Sequence, residues 1–272
     1  MDFLNGTNGV YLPTAWIIWN EFPDFELVDY DRLKEWNDKN YSRLRYQTDT
    51  KYNKGYLPEQ FLSYKKWIES FNPTKLQFDK FMSYPKNNFE IVWNDIKNNL
   101  YKFGRYSTWF YMQTLHSCGG LELEPNTLKL NDYSGSRSHR NGLLYALGQD
   151  ALIDKKLTNK QYNILEYKSK NILDNIKKYK KSNFYEMETV LCSYKKLFRR
   201  SNGRYLGYYL DRQAEEIKKV ELDNWSGIDW NVFWQGREEC LNKSLYKSKE
   251  INKNKYNYFL DNGFFNYQEL AI

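Results

Sequence analysis

The chain has 272 residues, with 41 Lys and Arg against 34 Asp and Glu, a formal net charge of +7 and an isoelectric point near 9.0. That length buries a substantial core without disulfide support, and Cys118, Cys192 and Cys240 lack the Cys-x-x-Cys spacing of a zinc site or disulfide framework, so reduced and mostly buried thiols are expected. No apolar run is long enough for a membrane helix and the start has no basic-then-apolar signal layout, so the expected setting is soluble and intracellular, with no membrane partner.

The positive excess admits polyanionic partners, although lysine-rich stretches such as 174–183 also serve as solvated helix faces. Aromatic residues (25 Tyr, 16 Phe, 9 Trp) make up 18% of the chain; they suit a helical core and also stacking on bases.

In chain order, residues 1–30 carry Pro13 and Pro23 and read as an irregular lead-in. Residues 57–71 place Pro58 near a first turn and Phe61, Leu62, Tyr64, Ile68 and Phe71 on one apolar face, which predicts a helix. The stretch 72–82 repeats the device, with Asn72 as N-cap and Pro73 at the first helical position. Phe89, Val92, Trp93, Ile96 and Leu100 recur at helical spacing and stop at Gly104. A buried helix over 105–118 follows, closed by Gly119 and Gly120.

The alternation of Leu121, Leu123, Leu128 and Leu130 around Pro125 predicts a small hairpin or an irregular loop. Residues 158–181, 185–200 and 205–221 are amphipathic helical patterns. Internal repeats and low-complexity linkers are absent. The expected fold is mainly α: a single compact multi-helical domain over 1–272 with at most a small β-hairpin, and 245–272 as a C-terminal extension.

The stretch "SGSRSHRNGL", residues 134–143, concentrates donors before an apolar run through Leu143, Leu144 and Leu147. Ser136, Ser138 and Asn141 are capping and hydrogen-bonding residues, and Arg137, His139 and Arg140 put three basic groups within four residues at the expected start of a helix, where N–H groups and the dipole attract an anion. The alternative is a loop whose arginines pair with nearby carboxylates. Asp211 and Glu215 lie four apart on one helix face, with Arg204 and Arg212 close by, as an acid–base pair or as an ordinary surface pattern. Trp225, Trp230 and Trp234 surround Asp229 and Arg237, as core packing or as a stacking wall for a base. Arg105 follows Gly104 at another helix start. With His116 and His139 the only histidines, and no Walker, His-Glu-x-x-His or Gly-x-Ser-x-Gly motif, nucleotide hydrolysis, protein-built metal sites and serine hydrolysis lose support.

Taken together, "GRYSTWFYMQTL", "GLELEPNTLKLND" running into "YSGSRSHRNGLLYALGQD", "YLGYYLDRQAEEI" and "GIDWNVFWQGREE" resemble the amino acid:DNA transferases of phage thymine-hypermodification pathways, over roughly residues 30–240. The resemblance implies a helical, phage-encoded enzyme in the host cytoplasm. Its partners would be DNA carrying a modified thymine and a free amino acid or other amine. In that chemistry 5-hydroxymethyluracil is activated by pyrophosphorylation, and the amine displaces pyrophosphate at the methylene carbon.

Under that reading Arg105, Arg137, His139 and Arg140 stabilise the departing pyrophosphate, each such donor being worth about 2.7–4 kcal/mol by analogy with oxyanion sites. Ser136, Ser138, Asn141, Arg204, Arg212 and Arg237 are further phosphate or DNA contacts. Asp211, Glu215 and His139 are the catalytic candidates that orient or deprotonate the amine, with Asp150 and Asp229 in reserve. Trp230 and Trp234 would stack on the base. No protein-held cofactor is expected, and magnesium on the pyrophosphate is compatible with the chemistry. Two rivals remain: a non-catalytic helical DNA-binding protein, and a glycosylase-like or nucleotide-processing enzyme. The sequence leaves the transferred amine and the oligomeric state open.

Overall fold

Apolar residues at helical spacing, punctuated by caps and glycines, produce ten α-helices among the described residues of the computed structural model, which are 12–23, 28–46, 51–69, 83–86, 88–132, 137–197, 208–225 and 227–240. They are α1 (Leu12–Glu21), α2 (Tyr30–Asn40), α3 (Leu57–Glu69), α4 (Phe89–Asn99), α5 (Arg105–Ser117), α6 (Ser138–Ala146), α7 (Asn159–Lys177), α8 (Phe184–Leu197), α9 (Tyr208–Leu222) and α10 (Trp230–Cys240). Short 3-10 turns occupy Lys51–Tyr56 and Asp150–Leu152. The helical expectation holds.

The chain groups into two compact units that interleave along it. The first comprises residues 1–136 and 159–186, the second 137–158 and 187–272.

In the first unit, Asp29 caps α2 by accepting the Asp31 N–H at 2.7 Å, and Asn88 caps α4 by accepting the Ile91 N–H at 3.4 Å. The buried face of α4 (Phe89, Val92, Trp93, Ile96) continues into the aromatic core. Phe89 stacks on Trp93 at 5.5 Å, Trp93 meets Trp109 edge-on at 6.2 Å, and Trp109 meets Tyr185 at 5.1 Å. Each such pair adds about 0.5–1.5 kcal/mol to simple burial.

One expectation needs correction here. The lead-in is not irregular throughout, because α1 lies inside it: Pro13 falls in the first turn, where its missing N–H is not needed, and Ala15, Ile17 and Ile18 are buried. Of the two readings offered for 121–130, the irregular loop is the one formed. Residues 121–132 make an irregular loop whose four leucines point inward, held by side chains from elsewhere: Tyr185 Oη donates to the Leu123 carbonyl at 2.6 Å, and Glu166 accepts the N–H groups of Leu128 and Leu130 at 2.9 and 2.7 Å. Gly120, at φ +69°, turns the chain out of α5 into this loop.

In the second unit, α6 and α8 approach backbone to backbone: a Cβ built on Gly142 would stand 1.9 Å from the Leu191 carbonyl oxygen. Asp229 caps α10 by accepting the Asn231 and Val232 N–H groups at 3.0 and 3.1 Å. Cys118 is exposed and Cys192 half-buried, contrary to the expectation of mostly buried thiols. The predicted helix at 72–82 and the extension at 245–272 lie outside the described residues. Among the described residues no helix is long and apolar enough to cross a membrane.

Candidate active site

The donor-rich stretch enters α6 as expected, with Arg137 rather than a serine or asparagine in the N-cap position and without a side-chain cap. Three of its side chains turn inward: His139, Arg140 and Asn141 are 2%, 1% and 0% exposed. Asn141 clasps the turn after the second 3-10 segment, its amide donating to Asp154 Oδ1 at 2.6 Å while its carbonyl accepts the Asp154 N–H at 3.5 Å. Asp154 itself sits in the left-handed region at φ +57°, a strained conformation that these two bonds help hold. Arg140 donates to the Asn141 carbonyl at 3.5 Å, and the His139 imidazole lies 3.8 Å from the Glu188 carboxylate of α8.

Above this inward layer is an accessible one. Arg137 is exposed and reaches the Asp154 backbone carbonyl at 3.5 Å; Ser138 is half-buried, and Lys195 donates to its hydroxyl at 3.5 Å. A guanidinium, an ammonium, a hydroxyl and the first turn of a nine-residue helix therefore share one end of α6. Chemically, that set attracts phosphate oxygens.

Arg105 belongs to the first unit and has a different setting. It is fully buried, lies 4.6 Å from the Trp109 ring centroid and donates to the Leu128 carbonyl at 2.9 Å. Next in this network is Glu166, whose carboxyl is pushed up by burial; the Leu130 and Leu128 N–H groups, Arg105 and Lys129 only partly offset the shift. The arginine and the carboxyl together pin the 121–132 loop.

On α9, Arg212 pairs with Glu215 at 2.7 Å and Glu216 at 3.3 Å, and Lys219 with Glu216 at 2.6 Å, a ladder of i, i+3 and i, i+4 contacts. Glu215 thus has its carboxylate engaged but accessible, at 41% exposure. Asp211 is on the same helix, with its side chain outside the described set, as Ser136 and Arg204 are altogether. Trp230 and Trp234 pack edge-on against Phe233 at 5.7 and 5.3 Å, and the Trp234 indole N–H donates to Glu221 at 2.9 Å. Lys218, hydrogen-bonded to the same carboxylate, holds Glu221 below the usual range, helped by Trp234. Arg237 donates to Gln213 at 2.9 Å. Of the reserve carboxylates, Asp229 is the α10 cap and Asp150 is exposed at the start of its 3-10 turn. His116 contacts the Leu121 carbonyl at 2.8 Å in the first unit.

Asp154, Glu188 and Lys195 are site residues that sequence reasoning missed. One signal was present for Glu188: it lies four residues after Phe184 and three before Leu191, a carboxylate on the apolar face of its helix.

The amino acid:DNA transferase family model matches residues 3–202. The chain belongs to the amino acid:DNA transferase family. It is 28% identical over 278 residues to a serinyltransferase of Salmonella phage ViI, an alignment that covers 92% of this chain and 64% of that protein. The chain therefore spans a little under two thirds of the length of the curated relative it matches. No solved structure is significantly similar to it. The amino acid:DNA transferase match takes in α1 to α8, hence the whole α6 cluster with Asp154, Glu188 and Lys195, and stops before α9 and α10. The family model thus takes in Arg105, Arg137, Ser138, His139, Arg140 and Asn141, whereas Asp211, Glu215, Trp230, Trp234 and Arg237 lie beyond it and are reached by the alignment with the serinyltransferase, which covers 92% of the chain.

Proposed function

We propose that this chain transfers an amino acid or other amine to DNA, at the 5-methylene carbon of a pyrophosphate-activated 5-hydroxymethyluracil. The amine nitrogen forms a bond to the methylene carbon as the carbon–oxygen bond breaks; the bonding pair leaves with pyrophosphate, and the amine gives up a proton to a base. The observation that carries this reading is the end of α6, inside the family-matched segment, where Arg137, Ser138 and Lys195 are accessible above a buried layer of His139, Arg140, Asn141 and Glu188.

In this mechanism Arg137 and Lys195 take the oxygens of the leaving pyrophosphate, with the α6 first turn adding its dipole. His139, Arg140 and Asn141 are positioning residues: they are withdrawn from water and hold the turn that presents the outer donors. Magnesium, if it takes part, arrives with the pyrophosphate as part of the substrate. Asp211 and Glu215 remain the proposed proton acceptors on the amine side. Trp230 and Trp234, half-buried on α10, are the proposed stacking residues, with Arg212 and Arg237 on the DNA backbone. The relative's name makes serine the first amine to try, and its phage source supports action in the cytoplasm of an infected host.

The test is nucleoside mass spectrometry after incubating the full chain with pyrophosphorylated 5-hydroxymethyluracil DNA and a mixture of amino acids. A thymidine adduct with the mass of an added amine, absent when the DNA carries plain 5-hydroxymethyluracil, is expected. DNA binding with unmodified nucleosides under every amine tried would favour the non-catalytic binding protein.

A further inference from the structure

A groove of about 420 Å³ opens in the first unit, between the start of α4, the 124–126 turn and α7. Its volume falls within the range of small-molecule sites, about 300–1,000 Å³. The floor is apolar and buried, made by Phe89, Pro125, Leu173 and Phe184. One wall is acidic, with Glu90 and Glu124; on the other, α7 contributes Lys170, Asp174 and Lys177, at i, i+4 and i+7 on a single face. Asn88 and Asn126 add amide groups at the rim.

Three carboxylates line the groove beside two ammonium groups, and Lys129 balances the third through its pair with Glu90, so the site is near neutral and has no excess of positive charge to hold pyrophosphate or a DNA backbone. A dipolar molecule is matched. An α-ammonium suits the acidic wall, an α-carboxylate suits Lys170 and Lys177, and the apolar floor accommodates the carbon atoms between and beyond them. Glu90 is already oriented by its ion pair with Lys129.

We propose that this groove binds the free α-amino acid in its zwitterionic form. The proposal rests on the transferase reading for its purpose, and on the groove's own charge pattern for its chemistry. It assigns Glu124 to the ammonium and Lys170 and Lys177 to the carboxylate.

The test uses the full chain, with and without activated DNA, and follows saturation-transfer NMR and the KM for the amino acid. The probes are glycine, serine and leucine, each also as its N-acetyl and methyl-ester derivative. Capping either end is expected to weaken binding about tenfold or more. Glu124→Gln and the double variant Lys170→Met, Lys177→Met, both at exposed positions, are expected to raise the KM by about tenfold with DNA affinity unchanged. The groove assignment is overturned if no amino acid binds under either condition, if the capped derivatives bind as well as the zwitterions, or if adducts form with an unaltered KM in both variants. Amino acids that bind in the groove of a chain that never modifies DNA would uphold the groove and reject the transferase reading instead.

Discussion

His139 Nδ1 lies 3.8 Å from Glu188 Oε1, with side chains only 3% and 8% exposed. Polar groups withdrawn from water in this way are tolerated together and costly apart. Glu188→Ala is therefore expected to destabilise the second unit by about 1–3 kcal/mol, as for a buried polar group left without its neighbour, and Glu188→Gln by less, because the amide keeps the shape. Urea denaturation measures both; a loss below about 0.5 kcal/mol for the alanine variant would mean the pair is incidental.

Gly142 offers a steric test of the same region. A methyl group there would meet the Leu191 backbone oxygen at 1.9 Å, and backbone does not yield as a flexible side chain does. Gly142→Ala should cost about 3 kcal/mol or prevent folding, because α6 and α8 must separate. Gly236→Ala, in α10 with nothing within 4 Å, should stabilise by about 0.5–1 kcal/mol. Thermal melting of the two variants in parallel separates crowding from propensity; equal behaviour would contradict the close helix approach.

Glu166 gives a pH prediction. Its folded pKa is raised, so the folded chain holds this proton more readily than the unfolded chain; the group's contribution is fullest below the unfolded carboxylate value and is lost as pH rises through the folded one. When ionised it accepts one backbone N–H on each of its two oxygens, and glutamine replaces one of those oxygens with an NH2 group that cannot accept. Glu166→Gln should cost about 1–3 kcal/mol near neutral pH, and the gap to the wild type should widen as the solution is acidified. Denaturation curves across that range check the sign, and a narrowing gap would contradict it.

Arg105 separates a buried structural arginine from a phosphate ligand. Arg105→Lys keeps the charge and loses both the flat contact with Trp109 and the guanidinium donor to the Leu128 carbonyl. A loss of about 1–3 kcal/mol, with altered tryptophan fluorescence, is expected. Unchanged stability alongside weakened DNA modification would return Arg105 to the pyrophosphate site that its sequence position suggested.

Helices α3, α4, α5 and α7 were legible because each combines apolar periodicity with local stop and start signals. Helix α1 was not, since prolines read as breakers until one knows that Pro13 occupies a first turn. The leucines of 121–130 imitate a strand by alternation, but their conformation is fixed by Glu166, Arg105 and Tyr185, which no local pattern couples to them. The candidate site divides in the same way. The run from Arg137 to Asn141 identified itself by composition, whereas the inward turn of His139, Arg140 and Asn141 depends on Asp154, 13 residues on from Asn141, and on Glu188 in another helix.

The central claim is amine-for-pyrophosphate displacement on DNA, and the most direct measurement counts both products of one reaction. With pyrophosphorylated 5-hydroxymethyluracil DNA and isotopically labelled serine, the account predicts pyrophosphate and DNA-bound label in equal amounts, both falling together in Arg137→Ala. Pyrophosphate released without bound label, or label bound without pyrophosphate, would contradict it.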